Sequence, residues 1–221
     1  MIHSLLKFFI YICFILLIIL LVKNIYYSFI RCKYKYININ NCLNIIDTGD
    51  LVLFRCNIEN NEDKLIQLNS YFSHCGMVVV INGKKYILEM IRQGNHDNLN
   101  KYSSNVNLFD FKKRVQKYNG KVYLVKCITE KSINYKNKII ENINKYIDYK
   151  YDMDFITNHI KSKFNLNNNT NNTHMFCSEF HYHILSESGL VKPIKNKKIM
   201  TPLDIFNLSI YDIEHFYKIY M

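Results

Sequence analysis

Tryptophan and alanine are absent from the 221 residues, and glycine and proline are scarce, at 6 and 2. So little glycine and proline excludes a collagen-like repeat and leaves almost nothing for a flexible or polyproline linker. The missing alanine coincides with an abundance of Asn, Ile, Lys and Tyr. That is a drift in coding composition, and it devalues arguments from bulk statistics. Acidic residues are outnumbered, 18 against 29 basic, for a net charge of +11. Because lysine belongs to the drift, the charge does not by itself point to a nucleic-acid partner, and none is expected. A hydrophobic share of 49% with 14% aromatics excludes a disordered chain.

Cysteine is present but unpaired in pattern. The seven (Cys13, Cys32, Cys42, Cys56, Cys75, Cys127, Cys177) form an odd set without a C-x-x-C pair. A secreted disulfide framework is even-numbered and clustered, so reduced thiols on a cytosolic side are expected. The Asn-x-Ser/Thr triplets at Asn168, Asn171 and Asn207 are then unused glycosylation patterns in an Asn-rich chain.

One long apolar run is present. Phe8 to Val22 carries no charged side chain. With Leu5, Leu6 and a snorkelling Lys7 it reaches about 18 positions, close to the span of a bilayer. A cleaved signal peptide wants small residues after the run, but KNIYYSFIRCKYKY follows, so an uncleaved anchor over 1–24 is expected. Lys23, Arg31, Lys33 and Lys35 outnumber Lys7 across it, which puts the C-terminal domain in the cytoplasm of a single-pass membrane protein. Residues 25–43 read as a basic-aromatic juxtamembrane segment attracted to anionic lipid.

From residue 44 to 221 the pattern is that of a mixed α+β domain. Strands are predicted over Leu51–Cys56, Gly76–Ile81, Lys84–Met90 and Lys121–Cys127, and helices over Ser132–Tyr146 and Phe176–Ser188, the latter stopped by Gly189. Asn165–Asn172 is a low-complexity loop. Asn82-Gly83 is a strong hairpin signal. A two-residue turn pairs Ile81 with Lys84 and sets Gly76 opposite Glu89. His74 and Glu89 then leave the same face as diagonal neighbours, roughly 7–8 Å apart at the backbone. An imidazole and a carboxylate aimed into an apolar interior need a reason to be there. Cys75 points to the opposite face and reads as core.

Cys177 lies in the first turn of the second helix, one position off the stripe Phe176, Phe180, Ile184. The positive end of a helix favours a thiolate there. A thiolate, an imidazole base and an orienting carboxylate are the parts of a nucleophilic cysteine site, with the N–H groups of Cys177 or Ser178 available to an oxyanion. A different chemistry is open to His174, Cys177, His181 and His183, spaced H-x2-C-x3-H-x-H, which would suit zinc, although His181 and His183 cannot share one helical face. Otherwise His181 reads as solvent-facing and His183 as partly buried. His96, His159 and His215 read as surface residues.

The segments GDLVLF (Gly49–Phe54), SHCGMVVV (Ser73–Val80), YILEM (Tyr86–Met90), YKYDMDF (Tyr149–Phe155), CSEFHYHILSESGL (Cys177–Leu190) and TPLDIF (Thr201–Phe206) occur in a telling order. They resemble the circularly permuted branch of the NlpC/P60 papain-like superfamily, the YiiX-like and poxviral group distantly similar to lecithin:retinol acyltransferases. The resemblance covers about 160 residues and implies a permuted papain-like fold, an antiparallel sheet packed against helices, behind the N-terminal transmembrane helix. It also implies Cys177 as nucleophile, His74 as base and Glu89 as the orienting residue, with Tyr149 or Tyr151 near the oxyanion. The expected protein is a membrane-anchored, cofactor-free and metal-free cysteine hydrolase or acyltransferase. Its substrate is an amide, ester or thioester in a membrane lipid, a lipidated molecule or a peptide. The alternatives are an inactive lipid- or protein-binding scaffold of the same fold and a zinc protein.

Overall fold

A computed structural model describes residues 2–57, 67, 70–91, 105–128, 133–152, 174–193 and 200–221. The expected Asn-rich loop, His96, His159 and Asp154–Phe155 of the YKYDMDF segment lie outside these residues. The chain divides into two compact units, Met1–Tyr34 and Lys35–Met221.

The first unit is the helix α1 (Ile2–Lys33), unbroken because it contains neither glycine nor proline. Leu6–Tyr27, 22 residues of mean hydropathy 2.7, is long and apolar enough to cross a membrane. It runs past the expected end at residue 24, taking Lys23 and Lys33 into the helix.

The second unit starts at Lys35, earlier than the expected residue 44. Strand β1 (Lys35–Asn38) and helix α2 (Ile39–Ile45) replace the supposed juxtamembrane segment, because Ile39 and Cys42 are core residues rather than a lipid-facing flank. The remaining strands of the main sheet are β2 (Leu51–Cys56), β3 (His74–Ile81), β4 (Lys84–Met90), β5 (Val106–Asp110), β6 (Gly120–Cys127) and β9 (Tyr211–Tyr220). The order is β1-β9-β6-β2-β3-β4-β5, antiparallel throughout except for the β1–β9 pair. Two short strands, β7 (Lys150–Tyr151) and β8 (His174–Met175), pair parallel in a separate ribbon.

Both faces of the sheet are covered, so central β2 is apolar at every one of its first four positions rather than alternating. One face packs Val52, Phe54, Val78, Ile87, Val122 and Leu124 against α2 and against Phe111 and Val115 of α3 (Phe111–Lys117). On the other, the rings of Phe72, Tyr123, Phe206 and Phe216 interlock. There α5 (Cys177–Glu187) lies against β3 and β4, backed by α4 (Ile133–Ile143) and α6 (Pro202–Phe206). The β3–β4 turn has positive φ at both Asn82 (50°) and Gly83 (75°), the type I′ geometry that matches strand twist. It pairs Ile81 with Lys84 and Met77 with Leu88.

Candidate active site

The hairpin register sets the first pair. Continued one step beyond Met77–Leu88, it lays Gly76 beside Glu89 and leaves His74, the first residue of β3, diagonal to that carboxylate. His74 Nε2 meets Glu89 Oε2 at 2.9 Å. Gly76 makes the approach possible. A Cβ there would stand 2.8 Å from Ile87 Cγ2 and 2.9 Å from Glu89 Cγ, closer than side chains tolerate.

Glu89 is fully buried, at 0% exposure, and a charge so placed needs more than a histidine. The sequence reading missed what completes it. Strand β5 passes into α3 without a loop, since Asp110 ends the strand and also caps the helix by accepting from Lys113 N–H at 2.9 Å. One turn in, Arg114 faces inward with Phe111 and Val115. Its Nε donates to Glu89 Oε1 at 2.7 Å and its Nη2 to Oε2 at 2.8 Å, a bidentate pair. The guanidinium lies 5.2 Å from the Phe54 ring and 5.1 Å from that of Phe109. Burial alone would raise the Glu89 carboxyl. Hydrogen bonds and charge from Arg114, then from His74, override it and hold the carboxyl down at about 2. A basic residue at i+3 between Phe111 and Val115 was the available signal.

Cys177 opens α5 behind Phe176, whose extended backbone (φ −86°, ψ 167°) occupies the N-cap position without a side-chain acceptor. Glu179 takes the Phe176 N–H instead, at 3.1 Å. Cys177 lies where α5 packs on β3, so His74 and Cys75 both act on its thiol. The Cys75 hydrogen bond pulls the Cys177 thiol well below its ordinary value against the opposing effect of burial, and His74 adds to the pull. For His74, burial disfavours the charged ring, but Cys177 and then Glu89 overcome it and raise the imidazole to about 9. The favoured state is thiolate beside imidazolium, the state in which sulfur is nucleophilic. Cys177 is 5% exposed. Cys75 leaves the strand opposite His74 and is buried in the core, as expected, on the side of β3 that α5 covers.

The other expected residues fall nearby in different roles. Ser178 is buried and its hydroxyl donates to Met200 O at 2.5 Å, so only its backbone N–H remains for an oxyanion. The Tyr151 ring stands edge-on to Phe176 at 6.2 Å, at the start of α5. Tyr149 meets the Tyr146 ring edge-on at 5.0 Å and lines a cleft of about 300 Å³ with His174, Glu179 and His183 along the outer stripe of α5. Cys177 is not part of that cleft's wall.

His181 is buried, at 2% exposure, not solvent-facing. Its Nε2 pairs with the Tyr211 hydroxyl at 2.7 Å, and burial, then the charge of His74, push it down to about 3, a neutral ring. His183 is partly buried, and His215 is exposed with Nδ1 at 2.5 Å from Asp212. Cys177 thus turns to β3 and His181 to β9. Among the described residues no three His, Cys, Asp or Glu side chains gather as a metal-ligand set.

No family model matches the chain, and no curated protein matches it in sequence. Among solved structures it is similar to the crystal structure of the metalloprotein yiiX from Escherichia coli O157:H7, with a TM-score of 0.52 and 18% identity. The similarity covers 75% of this chain and 94% of that one. At that identity it is a likeness of fold.

Proposed function

We propose that this chain is a membrane-anchored cysteine hydrolase or acyltransferase of permuted papain-like fold, acting through Cys177, His74 and Glu89. The observation that carries the reading is the buried hydrogen-bonded line from imidazole to carboxylate to guanidinium, with the Cys177 thiol drawn down and the His74 imidazole drawn up beside it. Its members come from three separate elements, β3, β4 and α3. The order of elements, histidine strand before cysteine helix, and the fold-level likeness to yiiX support the permuted NlpC/P60 assignment.

In this reading the Cys177 thiolate attacks the carbonyl carbon of an amide, ester or thioester. The developing oxyanion meets the N–H groups of Cys177 and Ser178 at the positive end of α5. His74 gives its proton to the leaving group and then takes one from water or another acceptor, which releases the acyl group. Glu89 fixes the ring orientation and stabilises the imidazolium in both steps, and Arg114 keeps Glu89 ionised and in place. Helix α1 serves as the anchor. The basic residues at its C-terminal end favour a cytoplasmic site, and tethering raises the effective concentration of acyl-lipid or lipidated substrates over soluble peptides.

The test is a screen of the full-length protein in micelles against phospholipid, acyl thioester and peptide substrates, with Cys177→Ala as control. Turnover lost in Cys177→Ala, together with Cys177 alkylating fastest of the seven thiols near neutral pH, is expected. His74→Ala should slow that alkylation by about tenfold or more. The burial of Cys177 favours a second reading, a non-catalytic binding scaffold. Equal alkylation of all exposed thiols and no turnover would decide for it.

A further inference from the structure

The main chain is forced just before β3. Among the described residues other than glycine, Tyr71 and Asn82 have positive φ. Asn82 belongs to the hairpin turn, and asparagine tolerates that region. Tyr71, at φ 61°, is another matter. For a large aromatic residue the left-handed region costs free energy, and it persists only where the surroundings impose it. His74 follows three residues later.

The stretch between them is not a backward extension of the strand. In an extended strand Phe72 and His74 would share a face. Instead the Phe72 ring lies 5.6 Å from that of Tyr123 and 5.8 Å from that of Phe206, on the α5 side of the sheet. The His74 ring lies 5.4 Å from that of Phe54, on the other side. Tyr71 N–H closes a helical turn onto Gln67 O at 2.9 Å, and its left-handed backbone then redirects the chain, as a glycine does at many helix ends. Beyond it, Ser73 N–H is fastened to Phe54 O at 2.8 Å and Ser73 Oγ accepts Cys56 N–H at 3.1 Å. The direction of His74 is therefore set by the turn before it.

One side chain grips that turn. Arg55, on β2, donates from Nη1 to Tyr71 O at 2.9 Å, and its guanidinium lies over the Tyr71 ring at 4.1 Å. The hydrogen bond fixes the peptide unit after Tyr71 and the ring contact fixes the side chain. A planar, forked cation can do both at once, and an ammonium cannot. We propose that Arg55 and Tyr71 are positioning residues for His74, their clasp holding the left-handed turn that delivers the imidazole to Glu89. The inference rests on the proposed role of His74 for its meaning in catalysis, while the placement of the ring is testable without turnover.

The readout is the titration of the His74 ring, followed by NMR of isotope-labelled histidine in the full-length protein in micelles, with His74→Gln assigning the signal. In the unmodified chain the ring is raised to about 9 from 6.5, so it should titrate above the ordinary range. Arg55→Ala should lower the midpoint by about 1 pH unit or more, as the ring leaves its carboxylate. Loss of a positive charge by itself would raise the midpoint, and loss of stability by itself would not move it in the folded chain. The groups around the ring, Glu89, Arg114, Cys177 and His181, are unchanged in each variant. Tyr71→Gly and Tyr71→Val both remove the aromatic ring, but only glycine takes positive φ freely. The first should keep the midpoint within about half a pH unit, and the second should lose it as Arg55→Ala does. In the Tyr71→Gly chain, Arg55→Ala should have at most about half its effect. If Arg55→Ala alone does not fold, Arg55→Lys and the Tyr71→Gly and Tyr71→Val pair decide the matter. An unmoved midpoint in a folded Arg55 variant, or the two Tyr71 variants titrating alike, overturns the proposal. The expected shifts in a protein turning over no substrate would keep this inference and sink the hydrolase reading, and turnover with an unmoved midpoint would do the reverse.

Discussion

Asp50, in the turn before β2, and Glu89, in β4, are both completely buried carboxylates, each beside a cation, yet they end in different chemistry. Asp50 accepts from Asp47 N–H at 2.8 Å, from Cys127 N–H at 3.0 Å and from the Lys126 ammonium. Its neighbour Thr48 takes Val80 N–H at 2.9 Å, and Gly49 N–H reaches Val78 O at 2.9 Å. The Asp47 bond closes the turn before β2 and the others stitch that turn onto β3 and β6, and of these Asp50 donors all but Lys126 are main chain. Glu89 gives one oxygen wholly to Arg114 and shares the other with an imidazole that titrates and touches a thiol. A buried carboxylate is therefore not itself a sign of function. What distinguishes the second is a partner able to hand a proton onward.

Removing the cation from each cluster should separate them. Arg114→Ala leaves buried Glu89 with the His74 imidazole but without its bidentate cation, and about 3–5 kcal/mol of stability should be lost in denaturant unfolding, with slower Cys177 alkylation in the folded fraction. Asp50→Asn should cost about 1–3 kcal/mol through its orphaned donors. It should leave Cys177 alkylation at pH 7 within about twofold of the unmodified rate, because the clusters share no partner. If Asp50→Asn slows alkylation as much as Glu89→Gln does, the distinction between them fails. Gly76→Ala is a finer probe. Its Cβ would press on Glu89 Cγ, so about 1–3 kcal/mol and a measurable drop in alkylation are expected, where a merely structural glycine would show only the first.

The smallest effect is in pH dependence. His74 is raised to about 9 from 6.5, so its stabilising contribution is complete below pH 6.5 and disappears as pH rises through 9. Glu89 is lowered to about 2 from 4.5, so its contribution is complete above pH 4.5 and disappears as pH falls toward 2. Between these limits the thiolate persists. The Cys177 alkylation rate should stay level from about pH 6 to 8, where an ordinary thiol gains about tenfold per unit. A tenfold slope for Cys177 would contradict the ion pair.

The parts legible in the sequence are those fixed by short-range geometry. Asn82-Gly83 sets the register of β3 and β4, and that register alone brings His74 to Glu89. The start of α5 at Cys177 follows from the apolar stripe and Gly189. Strand β1 was illegible because its partner β9 lies some 180 residues away in the chain, and KYKYIN reads equally well as a membrane flank. Arg114 was illegible for another reason. In FKKRVQK four of seven residues are basic, and which one turns inward depends on the phase set by the Asp110 cap and by what the neighbouring strand leaves uncovered. Cys75 was placed on the correct side of its strand. It is buried there among the core residues, as its place on the apolar face implies.

The absence of any loop between β5 and α3 makes the site a gauge of chain length. Asp110 is the last rung of the ladder opposite Tyr86 and also the anchor of the helix. Inserting a single residue after it would swing Arg114 by about 100° around the helix axis and carry the guanidinium away from Glu89. Charge and composition would be untouched, yet the carboxylate would lose its clamp. At this junction the spacing of the backbone is information in its own right, less forgiving of an added residue than of most exchanged side chains.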